Sequence, residues 1–177
     1  VARATPDGSM LLLDASSFAV HPALFAKLPY DTDKDFAPLA VLAQYPNVLV
    51  CTPNFEARNV ADVLRLARAK PKSLAYASSG NGSAQHLAGA LFEQLAKVEL
   101  NHVPYKGMGP GIAALLGGEV HLTFASLVAV NPHLNSGRMR ALGVTGSKRN
   151  PALPGVPTVS EAGVPGYEVD GWYGVLG

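Results

Sequence analysis

Strand-like and helix-like segments alternate along most of this chain, and that rhythm constrains the fold more than any other feature. Short apolar runs at 10–14, 47–52, 73–77, 102–104, 119–125 and 140–145 read as strands. Between them lie helical signals at 22–27, 60–69, 83–98, 110–116 and 132–136. Asn59 can cap the helix over 60–69, Val60, Val63, Leu64 and Ala67 form its inner face, and Pro71 ends it. Leu87, Leu91, Leu95 and Val98 line one stripe of the helix over 83–98. Pro110 opens the next helix and Gly117-Gly118 closes it. In 119–125, Val120, Leu122 and Phe124 alternate onto one face. Thr158 and Glu161 make a capping box, which predicts a short helix ended by Gly163. The alternation predicts an α/β domain with a largely parallel sheet and right-handed crossovers.

Composition removes several classes of function. At 48% hydrophobic and 15% charged residues, the chain can bury a core and does not read as disordered. A net charge of +1 makes no electrostatic case for nucleic acid or an anionic membrane. The apolar run at 10–13 is far short of a membrane span, as is every other uninterrupted apolar run. The single cysteine, Cys51, excludes an intrachain disulfide and reads as a small buried hydrophobe. The five histidines, His21, His86, His102, His121 and His133, lack metal-ligand spacing, so neither metal nor cofactor is expected. The first residue is Val1, and 172–177 reads as a strand that simply stops; a truncated or processed chain is expected.

The densest chemistry lies at Tyr76-Ala-Ser-Ser-Gly-Asn-Gly-Ser-Ala-Gln-His86, where a strand passes through a small-residue loop into a long helix. Ligands in open α/β sheets bind at the carboxyl ends of strands. A helix N-terminus there offers free N–H groups and a partial positive charge. Gly80 and Gly82 permit close backbone approach, and Ser78, Ser79 and Ser83 add hydroxyls beside Asn81. The set suits a carboxylate or another small anion. It equally suits an ordinary strand-to-helix turn with Ser83 as N-cap. His86 sits one turn into the helix, as a further candidate ligand group or a polar support beneath the loop. Lys106 and Gly107, in Val103-Pro-Tyr-Lys-Gly107, join another strand to another helix. Ser126 ends a third strand at the same rim, and Ser17 follows the first strand, where it can face a cleft from the other side. An enzyme is not expected. There is no G-x-S-x-G elbow or phosphate loop, and Ser83 with His86 lacks an orienting acid and an oxyanion hole.

The ordered set of segments resembles the Bug family of periplasmic receptors, the solute-binding components of tripartite tricarboxylate transporters. The resemblance rests on Thr5-Pro-Asp-Gly8, Leu28-Pro-Tyr-Asp31 with Asp35-Phe36-Ala-Pro38, the Ser78–His86 loop, and Val103-Pro-Tyr-Lys-Gly107. It continues through Leu116-Gly-Gly118, Ser136-Gly137 with Arg140-Ala-Leu142, and Leu153-Pro-Gly-Val-Pro-Thr158 with Glu161-Ala-Gly163. It implies a flytrap of the type II periplasmic-binding-protein architecture, with a complete second domain and a partial first one. Residues 1–52 would be a partial first domain and hinge strand, 53–170 the second α/β domain, and 171–177 a return strand. The implied function is to capture a small carboxylate and deliver it to integral membrane transporter subunits. The implied compartment is the periplasm. A partial first domain also implies exposed apolar surface, and with it dimerisation or strand exchange. The rival reading is a ligand-sensing flytrap domain of a regulator or sensor kinase.

Overall fold

A computed structural model describes residues 1–177. They form two compact units, Val1–Tyr45 with Gly171–Gly177, and Pro46–Asp170.

The larger unit contains the second half of β2 (Pro38–Cys51), then α2 (Val60–Ala69), β3 (Ala75–Ser78), α3 (Ala84–Ala96), β4 (Asn101–Pro104), α4 (Met108–Gly117), β5 (Leu122–Ser126), α5 (Leu127–Asn135) and β6 (Arg140–Val144). Its strands lie in the order β4-β3-β5-β2-β6. β3 runs parallel to both β4 and β5, whereas β2 runs antiparallel to both β5 and β6. The expected largely parallel sheet is therefore mixed. The connection through α2 returns to the end of the sheet that β2 left, so it does not cross over.

Side-chain alternation builds two cores, one on each face of the sheet. Leu49, Tyr76 and Phe124 pack with Val60, Val63 and Leu64 of α2, Ala88 and Phe92 of α3, and Tyr167. Val48, Val50, Ala77 and Ala125 face Ala114 and Leu115 of α4 and Val130 of α5. Asn59 caps α2 by accepting the Asp62 N–H at 2.8 Å. Cys51 is fully buried, and that burial pushes its thiol pKa up to about 11.

Three local expectations change. The strand expected at 47–52 starts at Pro38. The helical turn expected at 132–136 is the end of a helix that begins at Leu127 and carries Pro132 inside it. The helix expected after Thr158 does not form. Its capping box does, with Thr158 N–H to Glu161 Oε2 at 2.9 Å and Glu161 N–H to Thr158 Oγ1 at 3.0 Å. Thr158 instead bridges to Val144, and the chain turns through Gly166 at φ 79°.

In the smaller unit, β1 (Leu12–Ala15) pairs antiparallel with β7 (Asp170–Leu176), and β7 pairs in turn with β2. A 3-10 turn, Ser16–Val20, and the short α1 (His21–Leu24) follow β1. Phe18 is buried against Tyr30 and Phe36, with ring centroids 6.2 and 5.1 Å away. Met10, Leu11, Leu13, Leu39, Val41 and Leu42 are each more than half exposed. No helix is long and apolar enough to cross a membrane.

Candidate functional site

β3 delivers the chain to the loop Ser79–Ser83 at its carboxyl end, and α3 leaves from it. Gly80 and Gly82 turn the loop at φ 137° and 78°, in the region that side chains disfavour. Ser83 is the N-cap: its hydroxyl accepts the His86 N–H at 3.3 Å and donates to the Gly80 carbonyl at 2.7 Å. Ser79 Oγ donates to Gln85 Oε1 at 2.8 Å. The second loop is stitched to the first, through Tyr105 N–H to the Ser78 carbonyl (3.0 Å) and Gly107 N–H to the Ser79 carbonyl (3.2 Å).

Beneath the loop lies a layer of rings. Ser78 is fully buried, and its Oγ lies 2.6 Å from His102 Nε2 while accepting the Gly80 N–H at 3.2 Å. His86 Nδ1 accepts the Gly82 N–H at 3.0 Å. A backbone N–H can only donate, so Nδ1 is the unprotonated nitrogen and the ring proton sits on Nε2. The His86 ring stacks on His102 at 4.1 Å, and His102 stacks on Tyr76 at 5.0 Å. Burial, and secondarily the nearby His86, push the His102 pKa down to about 4. Burial, with a smaller contribution from Glu93, raises the Tyr76 phenol.

The residues singled out in the sequence are distributed as follows. Ser78, Ser79, Gly80, Gly82, Ser83 and His86 form a hydrogen-bonded loop that carries Asn81, and Gly107 joins it. Asn81 and Lys106 are exposed. Ser126 stands half-buried at the N-cap of α5 without a side-chain capping bond. Ser17 belongs to the 3-10 turn of the smaller unit. The Gly80 and Gly82 N–H groups are consumed inside the loop, whereas those of Asn81, Ala84 and Gln85 bond to nothing in the protein. Free amides at a helix N-terminus, flanked by hydroxyls and with no acidic residue from 78 to 86, favour a small anion. Sequence reasoning missed His102, whose only local mark is a histidine in a strand. It also missed Asn47, which is fully buried in register with Ser126 and leaves both side-chain amide atoms unpaired.

A strand-end loop that opens an uncharged, amide-rich helix terminus is a place where α/β sheets bind ligands. The entire chain, residues 1–177, matches the tripartite tricarboxylate transporter family receptor, and it belongs to that family. Its relatives of known structure include the periplasmic binding protein BugD and a TctC solute binding protein from Polaromonas. The chain is 40% identical to the UPF0065 protein in the tcbD-tcbE intergenic region of Pseudomonas sp. strain P51, covering 99% of this chain and 53% of that protein. Among solved structures, it superposes on R. palustris Rpa4515 with adipate at a TM-score of 0.93 and 40% identity, covering 99% of this chain and 59% of that one. MatC (Rpa3494) from Rhodopseudomonas palustris with bound malate gives a TM-score of 0.89 at 34% identity, covering 99% and 60%. The chain thus spans about half the length of the curated relatives it matches.

Proposed function

We propose that this chain is part of a periplasmic receptor that captures a small carboxylate and delivers it to integral membrane transporter subunits. The observation that carries the reading is the loop over Ser78–Ser83, whose internal bonds leave the Asn81, Ala84 and Gln85 amides open at the start of α3. Each hydrogen bond from such a donor to a charged carboxylate contributes about 1.5–3 kcal/mol. The helix terminus adds about 0.3–1 kcal/mol where exposed. A few such terms suffice for useful affinity only when a second surface grips the same ligand. The larger unit is the second domain in this reading, and its Lys106, Gly107 and Ser126 border the ligand. The family membership supports a carboxylate, as do the adipate and malate in the two related structures.

Calorimetry with adipate and malate tests the reading in a receptor of the relatives' full length. Gly82→Asp puts a carboxylate into the loop, and Asn81→Asp does the same at an exposed, less constrained position. Both should weaken binding at least tenfold through like-charge repulsion and lost donors. Affinity unchanged in both variants places the ligand elsewhere and reduces the loop to a capped turn.

A further inference from the structure

The loop is held from below by two histidines, and one of them comes from a strand remote in sequence. His102 on β4 touches both ends of the loop's support. Its Nε2 lies 2.6 Å from Ser78 Oγ, the hydroxyl that accepts the Gly80 N–H. Its ring stacks at 4.1 Å on His86, the residue that accepts the Gly82 N–H. The other side of the His102 ring meets Tyr76, its register partner on β3. Tyr76 is itself fixed by full burial and by edge contact with Phe124 at 6.2 Å. A space-filling residue would need neither the short contact to Ser78 nor the stack beneath His86.

We propose that His102 is a positioning residue for the ligand loop: through Ser78 and His86 it sets the orientation of the Gly80 and Gly82 peptides, and thereby leaves the Asn81, Ala84 and Gln85 amides open to ligand. His102 need not touch the ligand. It acts through two relays: a polar contact to Ser78, which accepts the Gly80 N–H, and a ring stack on His86, which accepts the Gly82 N–H. Tyr76 from β3 and His86 and Glu93 from α3 are the titratable groups on the elements packed against it, and Glu93 is engaged by the Leu100 N–H at 2.6 Å. With its pKa pushed down by burial, His102 is neutral at physiological pH and can stack without repelling His86. This inference rests on the loop being the ligand site, but its geometric part can be tested without ligand.

The test pairs two substitutions that split the roles of the ring. His102→Phe retains an aromatic plane between Tyr76 and His86 but removes Nε2. His102→Gln keeps a polar tip for Ser78 but removes the stack. In ligand-free protein near neutral pH, nitrogen NMR should show His86 protonated on Nε2 and not on Nδ1. His102→Phe should shift the Gly80 amide resonance and leave Gly82 in place. His102→Gln should do the reverse, loosening Gly82 and speeding its hydrogen exchange about five- to tenfold, the worth of one hydrogen bond. Adipate affinity should fall by a similar factor of about five to ten in each variant, and further in His102→Ala. If all three variants lower the melting temperature while the Gly80 and Gly82 resonances, the His86 tautomer and the affinity stay at wild-type values, His102 only fills space and the inference is wrong. If the wild type binds no adipate, the glycine resonances alone decide the inference, and the adipate result counts only against the carboxylate reading.

Discussion

Gly89 is the point where α3 crosses Tyr76, and Gly89→Ala tests how tightly the ring layer is built. A Cβ added there would lie 2.3 Å from both Cε2 and Cζ of Tyr76 and 2.6 Å from its hydroxyl oxygen. Ordinary carbon contacts need about 3.5 Å or more, so the ring or the helix must move by roughly an ångström. The ring has no easy route, because Tyr76 is 1% exposed and packs against His102 and Phe124. Overpacking of this kind costs about 1–3 kcal/mol, and a rigid neighbour puts it toward the upper end. Alanine returns about 1 kcal/mol through its better helix propensity. The net expectation is a loss of about 2 kcal/mol in urea unfolding, with a changed near-ultraviolet tyrosine signal. A variant as stable as wild type, or more stable by the propensity difference, would refute the reasoning and show that α3 and Tyr76 separate freely.

Stability should also depend on pH through His102. Its pKa near 4 lies below the ordinary 6.5, so the folded state takes up the proton less readily than the unfolded chain. Stability is full above about pH 6.5 and falls as pH drops toward 4, by about 1–2 kcal/mol after discounting for partial solvent screening; denaturation midpoints that are flat across that window in wild type, or that fall equally in His102→Phe, would contradict this. Asn47→Leu should raise stability by about 1 kcal/mol or more, because the native side chain buries two unpaired amide atoms; a loss in thermal unfolding would mean those atoms are satisfied in solution. Asn59→Ala removes the cap bonded to Asp62 N–H and should cost about 1 kcal/mol in the same assay, whereas Asn59→Asp should cost little.

The helix Val60–Ala69 was legible in sequence because its determinants are local: a cap at Asn59, an apolar face at Val60, Val63, Leu64 and Ala67, and Pro71 beyond the end. The loop over Ser78–Ser83 was legible for the same reason, since glycines and a capping serine act on their own neighbours. The capping box at Thr158–Glu161 shows where local signals stop. Its hydrogen bonds form, yet Thr158 bridging to Val144 and the turn at Gly166 replace the helix. Likewise the antiparallel course of β2 depends on which strands it meets, and no residue within it encodes that choice. His102 is the clearest case. By itself it is one histidine in a short strand. Only the parallel register Tyr76↔His102 brings it beside β3, and only the packing of α3 on that face lays His86 across it. Composition, caps and periodicity therefore determined the elements and the loop that ends in Ser83, because those act over a few residues. The support beneath the loop was decided by tertiary structure, because strand pairing and face-to-face ring packing join residues that share no local signal.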